Sequence, residues 1–312
     1  MSGPNQRGVY SHIASHKTLV RSGSDFSARK FIAMNTCILC GGAYGDCNIP
    51  GLVKCISCGF VTANLSLTSD ELKQIYGRRY FHGEEYADYI ADRQVIERHF
   101  RTRLNTLVRF VSEPGTKHLL EIGCAYGFFL NVASGIFATV EGIDISTDAI
   151  AFAREQNLSV SEQDFLDYAP LYPPDIICMW DTIEHLAHPV AYIDAAARLL
   201  PRGGVLAITT GDIESFVARV RGARWRQIHP PSHLHYFAKG NLTELLQRRG
   251  FAVRYAGSDG QLRSLETIAY VVLMIKHHQP SLYKALKRTG LLKFAIYLNL
   301  FDIMYLIAEK TA

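Results

Sequence analysis

The stretch at residues 118–127 constrains the fold more than any other part of the chain. A short apolar run carries Glu121 near its end, and Gly123 and Gly127 then flank a turn before the helical pattern of residues 128–134. This order predicts a buried strand, a tight turn and the start of a helix. Glycines at such a turn let the backbone bend sharply and approach a ligand closely, because they carry no Cβ.

A second apolar run follows and carries an acid near its end. Residues 139–145 are predicted to form the next strand, which places Asp144 at its carboxyl end. An acid at that point of a doubly wound sheet accepts hydrogen bonds from ribose hydroxyls. Together the two segments predict a β-α-β unit that binds an adenosine-containing cofactor.

The residues of the turn indicate which cofactor this is. A dinucleotide site needs the pattern G-x-G-x-x-G beside a helix N-terminus. Here Gly123 is followed by Cys124, Ala125 and Tyr126, so that pattern is absent. Glu121, two residues before the glycine, would repel a phosphate group and suits a cation.

The spacing of Glu121, Gly123 and Gly127, with Asp144 on the next strand, resembles the class I S-adenosylmethionine-dependent methyltransferases. Their cofactor carries a sulfonium and an ammonium group and no phosphate. The resemblance implies that an acid at the end of the third strand meets the adenine amino group and that the next residue packs on the adenine ring. The cofactor-binding residues it implies are Glu121, Gly123, Cys124, Ala125, Tyr126, Gly127, Asp144, Ile145, Asp164, Phe165 and Asp181.

The rest of the pattern predicts an α/β fold with a doubly wound parallel sheet, because strands and helices alternate along the chain. Further strands are predicted at residues 160–164, 175–180, 205–210 and 251–256. The resemblance implies a Rossmann-like sheet of seven strands, closed by an antiparallel strand at residues 302–308. Helices inserted before that last strand are expected at residues 265–275, 281–287 and 291–298.

Two C-x-x-C pairs precede this domain, formed by Cys37, Cys40, Cys55 and Cys58. Paired knuckles with a loop of this length predict four thiolates arranged tetrahedrally around Zn²⁺. A closed four-thiolate site leaves no open coordination position, so the zinc is expected to be structural. Cys47 lies between the pairs and does not fit the spacing.

The chain is thus predicted to have four segments. They are a flexible tail at 1–33, a zinc ribbon at 34–62, a helical linker or lid at 63–112, and a methyltransferase domain at 113–312 with a helical insertion at about 262–299. Within the linker, residues 93–110 have the pattern of a basic amphipathic helix. Its arginines are expected to form a solvated face, although a role in holding an anionic substrate is a second interpretation.

The composition of the chain indicates its size class, its expected compartment and its possible partners. A chain of 312 residues with 48% hydrophobic content can bury one α/β domain and a small module. Its polar N-terminus has no apolar signal core, and cysteines in metal-binding pairs indicate a reducing compartment, so a cytoplasmic protein is expected. A formal charge of +4 neither demands nor excludes nucleic acid.

The turn after the fourth strand contains Asp181-Thr182-Ile183-Glu184-His185. It resembles the acidic-x-x-Glu-His motif of the ubiquinone-pathway O-methyltransferases, which in some of those enzymes holds a divalent metal. Other relatives use the same Glu-His pair structurally, and this chain has Asp at the first position. Metal binding by Asp181, Glu184 and His185 therefore stays open.

The run Trp225–Phe237 follows the fifth strand and is dense in histidine, proline and aromatic residues. Loops at the carboxyl ends of strands form the site in open α/β sheets. We expect this run, the covering loop, to close the active site. Trp225 and Tyr236 are expected to exclude water from the methyl acceptor.

Methyl transfer to a hydroxyl needs a group that removes its proton, and imidazole titrates near neutrality. The candidates are His233, then His185, and then His235. His185 can equally cap its turn. Because alternate residues of an extended loop point oppositely, His235 is expected to pack beneath the loop while His233 faces the site.

The whole chain resembles the branch of methyltransferases with an N-terminal zinc ribbon, whose members often modify sugars, lipid-linked glycans or specialised metabolites. This implies O-methylation of a small-molecule or glycan acceptor. Alternatives are C- or N-methylation of a metabolite, an RNA methyltransferase whose ribbon grips RNA, and a cofactor-binding protein without catalysis. Lys54 is the one basic residue between Cys37 and Gly59, which argues against nucleic acid.

The C-terminal residues 291–308 are nearly all apolar but are interrupted by Lys293, Asn299 and Asp302. The interruptions argue against a membrane span. An interfacial amphipathic helix is the second interpretation of this stretch. It would allow association with a membrane surface.

Overall fold

The structure is a computed structural model that describes residues 36–65, 90, 92–170 and 172–311. The predicted tail at 1–33 and the part of the predicted linker at 66–89 lie outside these residues. Strands run over β1 (Tyr44–Asp46), β2 (Leu52–Cys55), β3 (Val61–Ala63), β4 (His118–Ile122), β5 (Thr139–Asp144), β6 (Val160–Glu162), β7 (Ile176–Trp180), β8 (Val205–Gly211), β9 (His235–Tyr236), β10 (Phe251–Ser264) and β11 (Ala295–Lys310). Helices run over α1 (Arg93–Leu107), α2 (Phe128–Ala133), α3 (Thr147–Glu155), α4 (Pro189–Leu199), α5 (Phe216–Arg221), α6 (Lys239–Arg248), α7 (Leu265–Ala269) and α8 (Pro280–Arg288).

The larger sheet has seven strands in the order β10-β11-β8-β7-β4-β5-β6. The five strands from β6 to β8 are parallel, whereas β11 runs antiparallel to both β8 and β10. All side chains of β7 and β8 are buried, which is why their sequences are continuous apolar runs rather than alternating ones. The predicted Rossmann-like sheet is confirmed, including its antiparallel closing strand.

The order in which strands are added to the sheet reverses between β4 and β7, which are parallel neighbours although β5 and β6 intervene in sequence. Ligands of open α/β sheets bind outside the carboxyl ends of the strands at such a switch point. The turns after β4, β5 and β7 therefore meet at one edge. Helix α1 packs beside this edge, against α2 and β10, through the buried Leu104 and Leu107.

In the C-terminal third, a strand replaces one of the predicted helices, and both predicted strands are longer than expected. Residues 291–298, predicted as a helix, form a short 3₁₀ turn at Leu291–Lys293 and then the first part of β11. Here Leu298 pairs with Gln261, and Ala295 pairs with Ser264, on an extension of β10. Ile296 and Tyr297 favour a strand, so the pairing and the local propensity agree.

The predicted association with a membrane surface through the C-terminal stretch is wrong. None of the helices in the described ranges is long and apolar enough to cross a bilayer. The stretch is not an amphipathic helix, because its last half is the buried part of β11 between β8 and β10. Residues 303–308 are buried in the interior of the sheet, and all except the hydroxyl of Tyr305 are apolar.

The smaller sheet has the order β1-β2-β3-β9 and joins two distant parts of the sequence. Strands β1 to β3 belong to the cysteine-containing segment. Strand β9 belongs to the covering loop, and it pairs with β3 through Val61 opposite Tyr236 and Thr62 opposite His235. The predicted ribbon and the covering loop therefore share one sheet.

Candidate active site

The turn after β4 has the conformation that its glycines require. Gly123 has a φ of +75° and Gly127 a φ of +73°. A Cβ on Gly123 would lie 2.7 Å from the side chain of Thr182, so this position accepts glycine alone. The turn is fastened to the next strand because the amides of Gly123 and Cys124 both donate to the carbonyl of Ile143.

Glu121 is buried below this turn, with 2% of its side chain exposed. Its Oε2 atom has no hydrogen-bond partner among the residues that the structure describes. Burial and then the nearby Asp144 raise the pKa of Glu121 well above its usual value. A buried acid with an unused oxygen fits a cationic ligand such as an ammonium group, since a cation would compensate its charge.

Asp144 is held in a fixed orientation at the end of β5. Its Oδ2 accepts from the amide of Ala125 at 2.9 Å, and its Oδ1 accepts from the amide of Ser146 at 2.8 Å. Each carboxylate oxygen keeps a second lone pair, so both can accept another hydrogen bond. The acid predicted to meet ribose is thus oriented by the two turns that flank it.

The acid at the end of β6, Asp164, accepts from the amide of Leu166 at 2.8 Å and from the hydroxyl of Tyr192 at 2.6 Å. The ring of Phe165 is 2% exposed and packs against Tyr168 and Tyr192. This ring therefore belongs to the core, and the adjacent Leu166 is the side chain left exposed at this position.

Arg103 was missed by the sequence interpretation, which placed the arginines of α1 on a solvated face. It is 3% exposed and donates to Asp259 and to Asp181, each at 2.7 Å. Its guanidinium carbon lies 5.6 Å from the ring centroid of Phe100 and 5.6 Å from that of Trp180. Burial alone would lower the pKa of Arg103, but the two carboxylates raise it, so the cation is fixed beside the turn after β7.

One signal in the sequence could have identified this arginine. Arg103 directly precedes Leu104 and lies one helical turn before Leu107, both of which are buried. An arginine among such positions lies at the edge of the apolar face rather than opposite it. Its partners Asp181 and Asp259 are far away in sequence, so the pairing itself could not be read.

A cluster of imidazoles lies beyond the turn after β7. The ring centroids of His185 and His233 are 4.5 Å apart, and those of His229 and His233 are 3.8 Å apart. Nδ1 of His185 lies 2.7 Å from the carbonyl oxygen of Ser232. Because a carbonyl only accepts, this nitrogen carries the proton and donates it.

Burial keeps the imidazoles of His185 and His233 neutral near pH 7. It lowers the pKa of His185 to about 4. It also lowers the pKa of His233 well below its usual value, with a further contribution from His185. Neutral imidazole is the form that accepts a proton.

Glu184 adjoins this cluster and is 3% exposed. Its Oε2 atom has no hydrogen-bond partner in the described part of the chain. Burial and then Asp181 raise the pKa of Glu184 to about 8. Glu184, His185 and His233 each offer a ligand atom, and these atoms lie within 4.8 Å of one another. Asp181 is not in this group, because its carboxylate is bonded to Arg103.

His235 is bonded to other parts of the protein and does not join this cluster. Its Nε2 lies 2.9 Å from the carbonyl oxygen of Leu186 and its Nδ1 lies 3.0 Å from the hydroxyl of Thr62. Burial lowers the pKa of His235 to about 4. Both ring nitrogens have protein partners, which leaves no nitrogen for a substrate.

The aromatic residues expected to face the acceptor lie elsewhere. Trp225 and Tyr236 are each 2% exposed and pack in a cluster with Leu52, Val61 and Ala63 of the cysteine-containing segment. The expectation that they exclude water from the acceptor is wrong, because their apolar surface is buried against β2 and β3.

The four predicted zinc ligands, Cys37, Cys40, Cys55 and Cys58, lie close together in the cysteine-containing segment. Sγ of Cys37 lies 3.6 Å from Sγ of Cys58, and Sγ of Cys40 lies 3.5 Å from Sγ of Cys55. Tetrahedral Zn–S bonds of about 2.3 Å place sulfurs roughly 3.8 Å apart, so these side chains fit the ion. Backbone amides donate to three of the sulfurs, on Cys37, Cys40 and Cys55. Cys47 is not part of the group.

The sheet order and the turn after β4 define a class I S-adenosylmethionine-dependent methyltransferase, preceded by a four-cysteine ribbon. Residues 96–256 match the family model described as a methyltransferase domain. The match covers more than half of the chain, and the protein therefore belongs to this family.

Two curated relatives have the same description, ubiquinone biosynthesis O-methyltransferase. The protein from Thiobacillus denitrificans is 32% identical over 133 residues, which are 39% of this chain and 57% of that protein. The protein from Burkholderia ambifaria is 25% identical over 180 residues, or 50% of this chain and 77% of that protein. The chain thus spans less than two thirds of the length of the first of these relatives.

Among solved structures, magnesium protoporphyrin IX methyltransferase from Synechocystis, with bound S-adenosylhomocysteine, is similar to this chain. The TM-score is 0.52 at 14% identity, and the match covers 78% of this chain and 100% of that one. At this identity the likeness shows the shared fold.

Proposed function

We propose that this protein transfers the methyl group of S-adenosylmethionine to a hydroxyl group of a small-molecule or glycan acceptor, with His233 as the general base. The observation that carries the proposal is the contact between the neutral imidazoles of His185 and the buried His233 beside the turn after β7. That turn also contacts the turn after β4, because the side chain of Thr182 lies against Gly123 and donates to the carbonyl of Ile122. The names of the curated relatives support transfer to oxygen.

When bound, the cofactor supplies a methyl carbon activated by its sulfonium. Glu121 would face the ammonium group, because its buried oxygen has no other partner in the described ranges. Asp144 would accept from the ribose hydroxyls, and Asp164 from the adenine amino group. Arg103 forms a 2.7 Å ion pair with Asp181 beside this site and is positioned to attract the cofactor's carboxylate.

Two histidines have different tasks in this proposal. His233 takes the proton of the acceptor hydroxyl as the oxygen attacks the methyl carbon. His185 holds the covering loop through its bond to the Ser232 carbonyl and packs edge-on against His233. A positioned base of this kind contributes about 10²–10⁴ in rate.

The test is single-turnover methyl transfer at saturating cofactor with the variants His233→Asn, His185→Asn and His235→Asn. We expect His233→Asn to slow transfer by about a hundredfold or more while the affinity for S-adenosylhomocysteine stays the same. His185→Asn should have a smaller effect, since its role is to position the loop. Wild-type rates in all three variants would contradict O-methylation with a histidine base and favour a carbon or amine acceptor.

A second role for the same cluster is binding of a divalent metal. Two imidazoles and one carboxylate within 4.8 Å form a ligand set that suits a transition metal. The set includes His233 from the covering loop in place of Asp181. Metal analysis of two variants, Cys37→Ser and His233→Asn, distinguishes this site from the four-cysteine site. Metal that is lost in His233→Asn but kept in Cys37→Ser is bound by Glu184, His185 and His233.

The four-cysteine cluster supports the proposal of one structural zinc ion per chain, and thiolates of this kind suit a reducing compartment such as the cytoplasm. The boundaries predicted from the sequence, at residues 33, 62 and 112, stay predictions. The ribbon uses one edge of its sheet to hold β9, which leaves less surface for RNA than a free ribbon would have.

A further inference from the structure

Besides the pairing of β3 with β9, further backbone and side-chain hydrogen bonds join β3 to the covering loop. The amide of Ala63 donates to the carbonyl of Leu234 at 2.8 Å. The hydroxyl of Thr62 lies 3.0 Å from the same carbonyl and 3.0 Å from Nδ1 of His235. Thr62 and His235 are 1% and 5% exposed, so water does not compete for these bonds.

The same segment of the loop is also bonded to the turn after β7. The amide of Leu234 donates to the carbonyl of Glu184, and Nε2 of His235 lies 2.9 Å from the carbonyl of Leu186. The segment Ser232–His235 is thus held between the ribbon on one side and the turn of Glu184 and His185 on the other. His233 lies in the middle of this segment.

The bonding pattern assigns the protons of this junction. The carbonyl of Leu186 only accepts, so Nε2 of His235 carries the proton. A neutral imidazole then has its lone pair at Nδ1, and the Thr62 hydroxyl must donate to it. The carbonyl of Leu234 is already satisfied by the amide of Ala63. Without the Thr62 hydroxyl, a buried ring nitrogen would lose its partner, which is costly.

Strand β3 is in turn fixed by the cysteine knuckles. The amide of Cys55 donates to the carbonyl of Phe60 at 2.7 Å, and Thr62 follows Cys58 by only four residues. The ring of Phe60 is fully buried between His235 and Phe237, with centroid distances of 5.8 and 5.2 Å. A shift of the second knuckle would therefore move β3 and, through it, the loop.

We propose that the ribbon is part of the active-site scaffold, and that Thr62 and His235 are positioning residues that hold His233 against His185 and Glu184. Zinc bound by the four cysteines would stabilise this arrangement by fixing the knuckles that hold β3. The inference rests on the proposed function in so far as His233 is the base or a metal ligand. The structural coupling between ribbon and loop is testable without any activity.

The decisive comparison is Thr62→Val with Thr62→Ser. Valine keeps the shape of threonine and removes the hydroxyl, whereas serine keeps the hydroxyl. Hydrogen–deuterium exchange of the peptide 232–237 reports the loop, single-turnover transfer reports the chemistry, and S-adenosylhomocysteine titration reports the cofactor site. In Thr62→Val we expect faster loop exchange and a turnover rate lower by about tenfold, with cofactor affinity and zinc content unchanged. Thr62→Ser should show the loop exchange and the turnover rate of the wild type.

Removal of zinc from the wild-type protein by a chelator is the second measurement, and it decides the case should Thr62→Val fail to fold. We expect loss of protection in the peptide 232–237 while S-adenosylhomocysteine still binds. Cys47→Ser, which leaves the ligands intact, is the matched control and should keep both the zinc and the protected loop.

The outcomes separate the two proposals. Unchanged loop exchange in Thr62→Val and in the zinc-free protein overturns the coupling, whatever His233 does. Faster exchange with an unchanged turnover rate overturns the positioning role. A wild-type rate in His233→Asn overturns the proposed function, and the exchange data then still decide whether the ribbon holds the loop.

Discussion

At the scale of single residues, the site combines two neighbouring groups that are both uncharged near pH 7 because they are buried. Glu184, with a pKa raised to about 8, keeps its carboxyl proton near pH 7, and His185, with a pKa lowered to about 4, stays a neutral imidazole. The cluster is therefore uncharged at rest, which a buried location favours. When His233 accepts a proton, Glu184 is the adjacent acid that can compensate the charge, since interacting groups titrate as a set.

Asp144→Ala is expected to weaken cofactor binding. The substitution removes the carboxylate proposed to accept from ribose and also the anchor of the Ala125 and Ser146 amides. Loss of hydrogen bonds to a charged group costs about 1.5–3 kcal/mol, or about a tenfold to hundredfold rise in the dissociation constant. Calorimetric titration with S-adenosylhomocysteine measures this change. Asp148→Ala, an acid on α3 with no such contacts in the described residues, is the control, and equal affinities in the two variants would contradict the assignment.

At the scale of elements, the covering loop has a second anchor besides the ribbon. Asp302 on β11 is 1% exposed and accepts from Nε1 of Trp225 at 2.8 Å and from the guanidinium of Arg226 at 2.9 and 3.2 Å. The start of the loop is thus fixed to the closing strand, and its end to β3. This explains why Asp302, which interrupts an apolar run in the sequence, lies inside the sheet rather than at a membrane surface.

Asp302→Asn is expected to lower the free energy of unfolding by about 1–3 kcal/mol at pH 7, because the buried bonds to Arg226 lose their charge. Burial alone would raise the pKa of Asp302, but Arg226 and Trp225 lower it below its usual value. The stabilisation is therefore present above the usual carboxyl pKa and is lost as the pH falls through the lowered one. Denaturant unfolding at pH 7 and near pH 3 should show the difference between wild type and variant shrinking in acid. If the difference in free energy of unfolding between wild type and variant is the same at both pH values, the ionised Asp302 carboxylate is not the source of the stabilisation.

At the scale of the whole molecule, what could be predicted was what is local in sequence. The turn around Gly123, Asp144 on β5 and the four cysteines are each recognisable within a short segment, and all of them lie where the pattern placed them. The contacts that assemble the site join distant segments. Arg103 bonds to Asp259 across 156 positions, and Thr62 contacts His235 across 173. The hydrophobic periodicity of the sequence does not predict which distant residues will pair. It describes only the local environment of each residue.

The last prediction concerns how the two sheets depend on each other. Zinc binding supplies folding free energy to small thiolate modules, and here the module also carries β9 and the buried ring of Phe60. Cys37→Ser or Cys58→Ser should therefore remove the zinc and lower the midpoint of thermal unfolding of the whole chain, rather than melt the ribbon alone. Cys47→Ser should change neither, since Cys47 lies outside the ligand group. Calorimetry with metal analysis is the measurement. A separate low-temperature transition for the ribbon, with the main transition unmoved, would show that the catalytic sheet does not depend on it.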